Sequence, residues 1–202
     1  ETLKCVALDG FRMAIAETEL KEASGEFRMI IPARSLGEIS RMIDDENGDV
    51  TIVSEDNSLM VENDGTVFVS RLLEGEFINY EQIIPHEFIT VFSADRAVLL
   101  NSLERATIVA KDARNVVKLE IRENVINIKA NSERGNVNES VVIKTEGKDL
   151  DINFNSKYLC DALKATDDEF ITFRFVGEIA PAIITPFSGE EYIFLVLPIR
   201  IN

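Results

Sequence analysis

The stretch Ala33-Arg-Ser-Leu-Gly-Glu-Ile-Ser-Arg-Met-Ile43 puts Leu36, Ile39 and Ile43 on one helical face, with Arg34, Glu38 and Arg41 opposite. A second short helix is expected over residues 156–166, and the two stretches correspond at a constant offset (159 − 36 = 123 for Leu36 and Leu159). At that offset Arg34 falls on Lys157, Glu38 on Asp161 and Arg41 on Lys164, so base, acid, base recurs at equal spacing. Ala7 and Ala130 keep the same separation. Agreement at several positions, at one offset and without gaps, indicates an internal repeat.

Upstream, residues 3–9 reach Asp9-Gly10, and residues 11–16 resume a strand pattern, which is the signature of a β-hairpin. A strand is expected at 26–31, stopped by Pro32. After the first helix, which Asp44-Asp45-Glu46 and Asn47-Gly48 should end, three strands are expected at 49–54, 58–63 and 66–71. Residues 73–86 are apolar without a period and close on Pro85, which reads as a linker. The second half opens with a strand at 88–92, Ser93 as an N-cap and a long helix over 94–111 carrying Leu99, Leu103, Ala106 and Ala110 on one face. Strands at 116–122, 125–131, 136–145 and 150–154 precede the second short helix, and strands at 170–175 and 182–184 follow it. Moved back by the repeat offset, the second copy's opening strand and helix fall before residue 1, so the first copy reads as truncated.

The expected architecture is α+β: repeated units of antiparallel sheet with short helices lining one face. Its expected divisions are a truncated unit at 1–76, a linker at 77–86 and a complete unit at 87–202. The chain ends Tyr192-Ile-Phe-Leu-Val-Leu-Pro-Ile-Arg-Ile-Asn202, unbroken apolar to Leu197 and then interrupted by Pro198. One reading is a last strand finishing its own core. The other makes residues 197–201 a wall of a groove that receives a partner.

A chain of 202 residues with 46% hydrophobic residues can bury a sizeable core, and no apolar run is long enough to span a bilayer. Cys5 and Cys160 read as buried, reduced thiols of a cytoplasmic protein. Thirty-six acids against 21 bases give a net charge of −15, which by itself opposes nucleic-acid binding, although a basic face can lie within an acidic total. If the two short helices share a surface, Arg34, Arg41, Lys157 and Lys164 form a stripe able to hold phosphates without sequence preference. The competing reading is a solvated helix face with weak local ion pairs.

Catalytic and metal signatures are sparse. The lone His86 follows Pro85 in the linker, and the sequence has no P-loop, GxGxxG or HExxH. The acidic runs Asp44-Asp45-Glu46 and Asp167-Asp168-Glu169 read as loop surface rather than as paired catalytic carboxylates. A non-catalytic protein without metal or cofactor is expected.

Four motifs, Ala7-Leu-Asp-Gly-Phe-Arg-Met13, Leu72-Leu-Glu-Gly-Glu-Phe-Ile-Asn-Tyr80, Phe154-Asn-Ser-Lys-Tyr158 and Leu195-Val-Leu-Pro-Ile-Arg-Ile201, together resemble the bacterial DNA polymerase III sliding clamp, the β subunit. The resemblance covers essentially the whole chain, beginning partway through the family's second domain. It implies the DNA-clamp fold, a head-to-tail dimeric ring around duplex DNA, and no catalysis. It also implies a groove that takes short linear peptides from polymerases, the clamp loader and repair proteins. Carried over by position, the groove residues are Leu8, Gly10, Phe11, Arg12 and Met13, then Ile78, Gln82 and Ile83. Arg114, Asn155, Tyr158, Ile179 and Pro181 follow, with Leu195, Val196, Leu197, Pro198, Ile199, Arg200 and Ile201. Gln82 stands where a base is common, Phe11 replaces a more polar residue, and Asn202 extends past the usual end. The resemblance implies that Arg34 and Arg41 face DNA; Lys157 and Lys164 join them mainly through the internal repeat. Ile108 and Val109 match one side of the family's subunit contact, and without the first domain this chain is not expected to close the dimeric ring.

Overall fold

The computed structural model describes residues 1–23, 25–43, 49–55, 57–133, 135–189 and 191–200. Two compact units emerge: Glu1–Leu20 with Glu81–Asn202, and Lys21–Tyr80. The N-terminal hairpin makes its contacts with the C-terminal body. The cause is a strand joint. β1 (Thr2–Leu8) and β2 (Arg12–Glu19) form the hairpin, and the second edge of β2 pairs with β14 (Tyr192–Val196). The break after Tyr80 falls inside the expected linker, in a 3-10 turn at Tyr80–Ile83.

The larger unit holds two sheets. One joins β1, β2, β14, β13 (Ala182–Pro186), β12 (Phe170–Phe175), β6 (Thr90–Asp95) and β10 (Lys144–Gly147), in that order. The other joins β11 (Leu150–Asn155), β7 (Val116–Arg122), β8 (Val125–Ser132) and β9 (Gly135–Val142). Helix α2 (Arg96–Ala110) buries Leu99, Leu103, Ala106 and Ala110, the face expected from sequence, and packs on β7, β8 and β9 and against α3 (Ser156–Lys164). Residues opposite one another in antiparallel strands share a face. Phe92, Phe173, Ile184, Phe194 and Ala14 therefore form one apolar row across five strands on the core side. Phe92 and Phe173 stack with centroids 4.8 Å apart.

The smaller unit packs α1 (Ala33–Met42) beside a three-stranded sheet of β3 (Thr51–Glu55), β4 (Ser58–Asn63) and β5 (Thr66–Arg71). Ile39, Leu59 and Val61 form its small core.

The repeat is visible in the backbone. β1 and β2 map onto β8 and β9 at the sequence offset, and both hairpins share one register, Leu8 opposite Met13 and Asn131 opposite Asn136. α1 maps onto α3, but Leu36 is 39% exposed whereas Leu159 is fully buried. α3 packs against α2, whereas α1 packs on β5. The expected strand at 26–31 is corrected, since no strand forms there. Its repeat counterpart β11 is paired to β7.

Three other expectations are corrected. Residues 136–145 are two strands, β9 and β10, in different sheets. α2 is capped by Asp95, whose carboxylate accepts from the Val98 N–H at 2.8 Å, while Ser93 lies inside β6. Cys5 is exposed, because β1 is the edge of its sheet, and only Cys160 is buried. The last strand ends at Val196, just before Pro198, and is interior to its sheet. The acidic run 44–46 lies outside the described residues.

The solvent face of the four-stranded sheet carries an ion-pair network. Lys118 bridges Glu120 (3.0 Å) and Asp151 (2.7 Å), Lys129 reaches Glu120 at 2.6 Å, and Arg122 reaches Asp151 at 2.7 Å. Hydrogen bonds from Lys129 and Lys118 hold Glu120 below the ordinary carboxylate range. Desolvation pushes Asp151 up, but Lys118 and Arg122 outweigh it and its pKa is lowered as well. A lowered folded pKa stabilises above the unfolded value, about 3.9 for Asp and 4.3 for Glu, and that contribution disappears as pH falls through the folded value.

Two predictions follow from packing and charge. Phe173→Ala, at the centre of the aromatic row, should cost about 3–5 kcal/mol in urea denaturation; a loss below about 1 kcal/mol would contradict the packing. The thermal midpoint should fall from pH 5 to pH 3 more steeply in the native chain than in Glu120→Gln. Equal slopes would show that the network contributes nothing.

Candidate functional site

The hairpin tip is shaped by its own sequence. Gly10 has φ +84°, a left-handed conformation that glycine adopts without cost. The Asp9 carboxylate accepts from the backbone N–H groups of Phe11 (3.1 Å) and Arg12 (3.2 Å) and from Arg12 Nε (3.0 Å). Desolvation pushes Asp9 up, yet these bonds and the Arg12 charge hold its carboxyl below the usual aspartate value. Arg12 continues across to α3, donating to Asp161 at 2.5 Å with its guanidinium 4.4 Å from the Tyr158 ring centroid. Phe11 stacks on the same ring at 6.3 Å. One tyrosine on α3 thus organises the two side chains at the hairpin tip.

The C-terminal segment locks onto this tip. Met13 lies opposite Leu195 and Arg12 opposite Val196, and the Leu197 N–H donates to the Phe11 carbonyl at 2.9 Å. Leu8, Met13, Leu195 and Ile183 form a second row, on the sheet face away from the aromatic row. Leu197 lies two residues beyond Leu195, so strand alternation puts it on the Met13 face. Ile199 N–H donates to the Asn153 carbonyl at 2.8 Å and ties the tail to β11.

A cleft of about 350 Å³ flanks this joint. Of the residues expected from sequence, it brings together Leu8, Arg12, Met13, Tyr158, Leu195 and Val196. Ala7, Asp9, Ala14, Asp161, Ala162, Ala165 and Phe194 complete the lining, and sequence reading had not assigned them to a site. Part of the signal was present, since Tyr158, Asp161, Ala162 and Ala165 fall at i, i+3, i+4 and i+7 of one helical stripe.

The other expected residues lie outside the lining. Gly10 and Phe11 form the tip, and Leu197, Pro198, Ile199 and Arg200 continue past the strand. Ile201 lies outside the described residues. Gln82 and Ile83 belong to the 3-10 turn. Arg114, left-handed at φ +57°, follows the 3-10 extension of α2, and the Asn155 side chain caps α3 by accepting from the Lys157 N–H at 3.0 Å. Ile179 is exposed and Pro181 half-buried in the segment before β13. Ile78 is exposed in the smaller unit.

Arg34 and Arg41 are exposed on α1, and Arg41 pairs with Glu38 at 2.7 Å. Lys157 and Lys164 are exposed on α3, and Lys164 pairs with Glu104 at 2.6 Å. Ile108 and Val109 line a separate recess with Lys111, Asp112 and Ser132 at the C-terminal end of α2. Asp168 accepts from the Ser188 hydroxyl at 2.6 Å, and among the described residues no three His, Cys, Asp or Glu side chains converge as a metal site would require.

Fold and cleft together define a class: a repeated α+β protein in which an apolar cleft with an arginine–aspartate anchor flanks the joint between one repeat's hairpin and the next repeat's last strand. The chain belongs to the DNA polymerase III beta subunit family, whose central-domain model matches residues 1–79 and whose C-terminal-domain model matches 81–200. The beta sliding clamp of Staphylococcus aureus is 33% identical over 201 residues, which are 98% of this chain and 53% of the relative. The DNA polymerase sliding clamp of Bacillus subtilis superposes with a TM-score of 0.94 at 32% identity, covering 100% of this chain and 54% of that one. A Pseudomonas aeruginosa sliding clamp bound to griselimycin gives a TM-score of 0.92 at 25% identity, covering 99% and 55%. The chain therefore spans about half the length of the curated relatives it matches.

The tip geometry can be tested directly. Gly10→Ala places a Cβ in a left-handed conformation and should cost about 1–2 kcal/mol in chemical denaturation. A neutral substitution would show that the turn is not held as described.

Proposed function

We propose that this chain is part of a replication processivity factor, a sliding clamp that encircles duplex DNA as a head-to-tail ring in the full-length protein. In this reading residues 1–76 are the later part of a second clamp domain, 77–86 the linker and 87–202 the third domain. The role is non-catalytic and cytoplasmic. The observation that carries it is the cleft at the β2–β14 joint, where Met13, Leu195 and Val196 supply apolar walls and Arg12, Tyr158 and Asp161 a polar anchor. Clefts of this composition suit short peptides that bury a few apolar side chains and fix their direction through one or two polar groups. The griselimycin complex of the P. aeruginosa relative supports ligand binding in this family. The partners proposed here are polymerase, clamp-loader and repair proteins carrying such peptides.

The proposed DNA contacts are Arg34, Arg41, Lys157 and Lys164. Arg41 and Lys164 each carry a glutamate partner, which weakens their pull on phosphate and fits sliding contacts better than fixed ones. Ile108 and Val109 are the proposed third-domain side of the ring contact.

A fluorescent clamp-binding peptide tests the groove. Leu197→Ala should weaken binding about 5–30-fold, the equivalent of roughly 1–2 kcal/mol of apolar contact. Leu197 is partly exposed, so the substitution should leave the thermal midpoint nearly unchanged. Unaltered affinity in both Leu197→Ala and Arg12→Ala would remove the peptide-groove reading.

A further inference from the structure

Strand alternation on β12 sends Ile171, Phe173 and Phe175 into the core, so Phe170, Thr172 and Arg174 take the other face. Thr172 is buried there, and Arg174 is half-buried with its guanidinium donating to the Thr185 hydroxyl at 2.8 Å. Phe170 is not covered. Ile171 lies opposite Pro186, and one pair further on the Phe187 N–H donates to the Phe170 carbonyl at 3.1 Å. The two rings therefore stand side by side, centroids 6.3 Å apart and inclined at 63°, with Phe170 43% and Phe187 66% exposed. Single exposed apolar side chains are ordinary on a protein surface, whereas two adjoining phenylalanines form a patch.

The corner that presents them is held in place, and it is acidic. The Arg96 N–H donates to the Glu169 carbonyl at 2.9 Å, its Nε to the Asp168 carbonyl at 2.6 Å and its Nη1 to the Leu163 carbonyl at 3.1 Å. The Asp168 carboxylate accepts from the Ser188 N–H at 3.3 Å and from its hydroxyl at 2.6 Å, which laces the loop before β12 to the loop after β13. Asp167 and Glu169 are exposed in the first loop, and Asp95 lies opposite Phe170 on β6. Glu191 is exposed at the far end of the second loop. Arg96 brings a cation here, but its donors are directed at backbone carbonyls.

We infer that this aromatic pair is a docking site for a basic segment of a partner protein, with one apolar side chain seated against Phe170 and Phe187 and lysines or arginines on either side of it. Exposed aromatic rings on a preformed frame make strong anchors for such contacts. The carboxylates pair with the flanking cations, and a guanidinium or ammonium can also lie over a phenylalanine face. The same charge decides against other occupants. A second copy would bring the same carboxylates and a net charge of −15, and nucleic acid or an anionic membrane would bring phosphates. Ile184 lies opposite Phe194, so Phe187 falls beyond the start of β14, whereas the cleft is lined by that strand's end at Leu195 and Val196. About 14 Å of strand therefore separates the two surfaces, and both can be occupied together. The patch is independent of the peptide-groove reading.

A fluorescein-labelled peptide in which lysines and arginines surround one phenylalanine and one leucine (KRKFLKRK) tests the site by fluorescence anisotropy on the 202-residue chain. It should bind, and Phe187→Ser and Phe170→Ser should each weaken it about tenfold. Phe187 is mostly exposed, so its substitution should leave the thermal midpoint nearly unchanged. Asp167→Asn/Glu169→Gln should also weaken binding and flatten its dependence on salt between about 0.05 and about 0.3 M. Glu74→Gln/Glu76→Gln, in the smaller unit, should do neither, and Leu197→Ala at the cleft should leave binding as it is. Failure of the peptide to bind, unchanged affinity in both phenylalanine variants, or equal loss in the Glu74/Glu76 variant would overturn the inference. So would self-association in sedimentation that Phe187→Ser abolishes, since the occupant would then be a second copy. Loss in Leu197→Ala with none in Phe187→Ser would place the peptide in the cleft and overturn it as well.

Discussion

The ladder between β2 and β14 is the constraint on which the larger unit depends. It joins residues near the two ends of the chain and turns a hairpin that would be an isolated two-stranded ribbon into the edge of a seven-stranded sheet. A lone hairpin is marginal in water. Here it gains an apolar row running through Phe194 and Ile184 to the phenylalanines of β12 and β6. The same ladder fixes which face each hairpin residue presents, and a one-residue slip would exchange Met13 for Arg12 on the cleft's two sides.

The two repeats differ more in packing than in topology. Among the described residues, α3 sits in a core of 28 buried residues shared with α2, whereas α1 relies on a core of three buried residues with partly buried neighbours. One framework therefore yields a large core in the unit that holds the cleft and a small one in the other unit. Surface charge follows a similar division of labour. The network around Glu120 and Asp151 lies among neighbouring strands of one sheet, while Asp161 pairs across to Arg12 on the hairpin.

Much of this was legible in the chain. Asp9-Gly10 between strand patterns specified the hairpin, because few other pairs tolerate that turn. The spacing of Leu99, Leu103, Ala106 and Ala110 specified the buried face of α2, and the offset between Leu36 and Leu159 specified the repeat. What escaped depended on distant partners. Arg12 and Asp161 are 149 residues apart, and nothing local marks them as a pair. Ser93 looked like a cap because serine often is one, yet its hydroxyl lies 3.3 Å from that of Thr172 within the sheet. Cys5 looked buried because it is apolar in context, and only the sheet order reveals that its strand is an edge. Residues 26–31 have strand composition, yet among the described residues no strand pairs with them.

The distance in sequence between β2 and β14 also sets an order of events during synthesis. Some 170 residues separate the two strands, and ribosomes add roughly 5–20 residues per second. The hairpin therefore emerges and waits about ten seconds or longer before its neighbour exists, its second edge unsatisfied throughout. The strands of this hairpin thus find their last neighbour late, and chaperones have a long opportunity at the residues that later border the cleft.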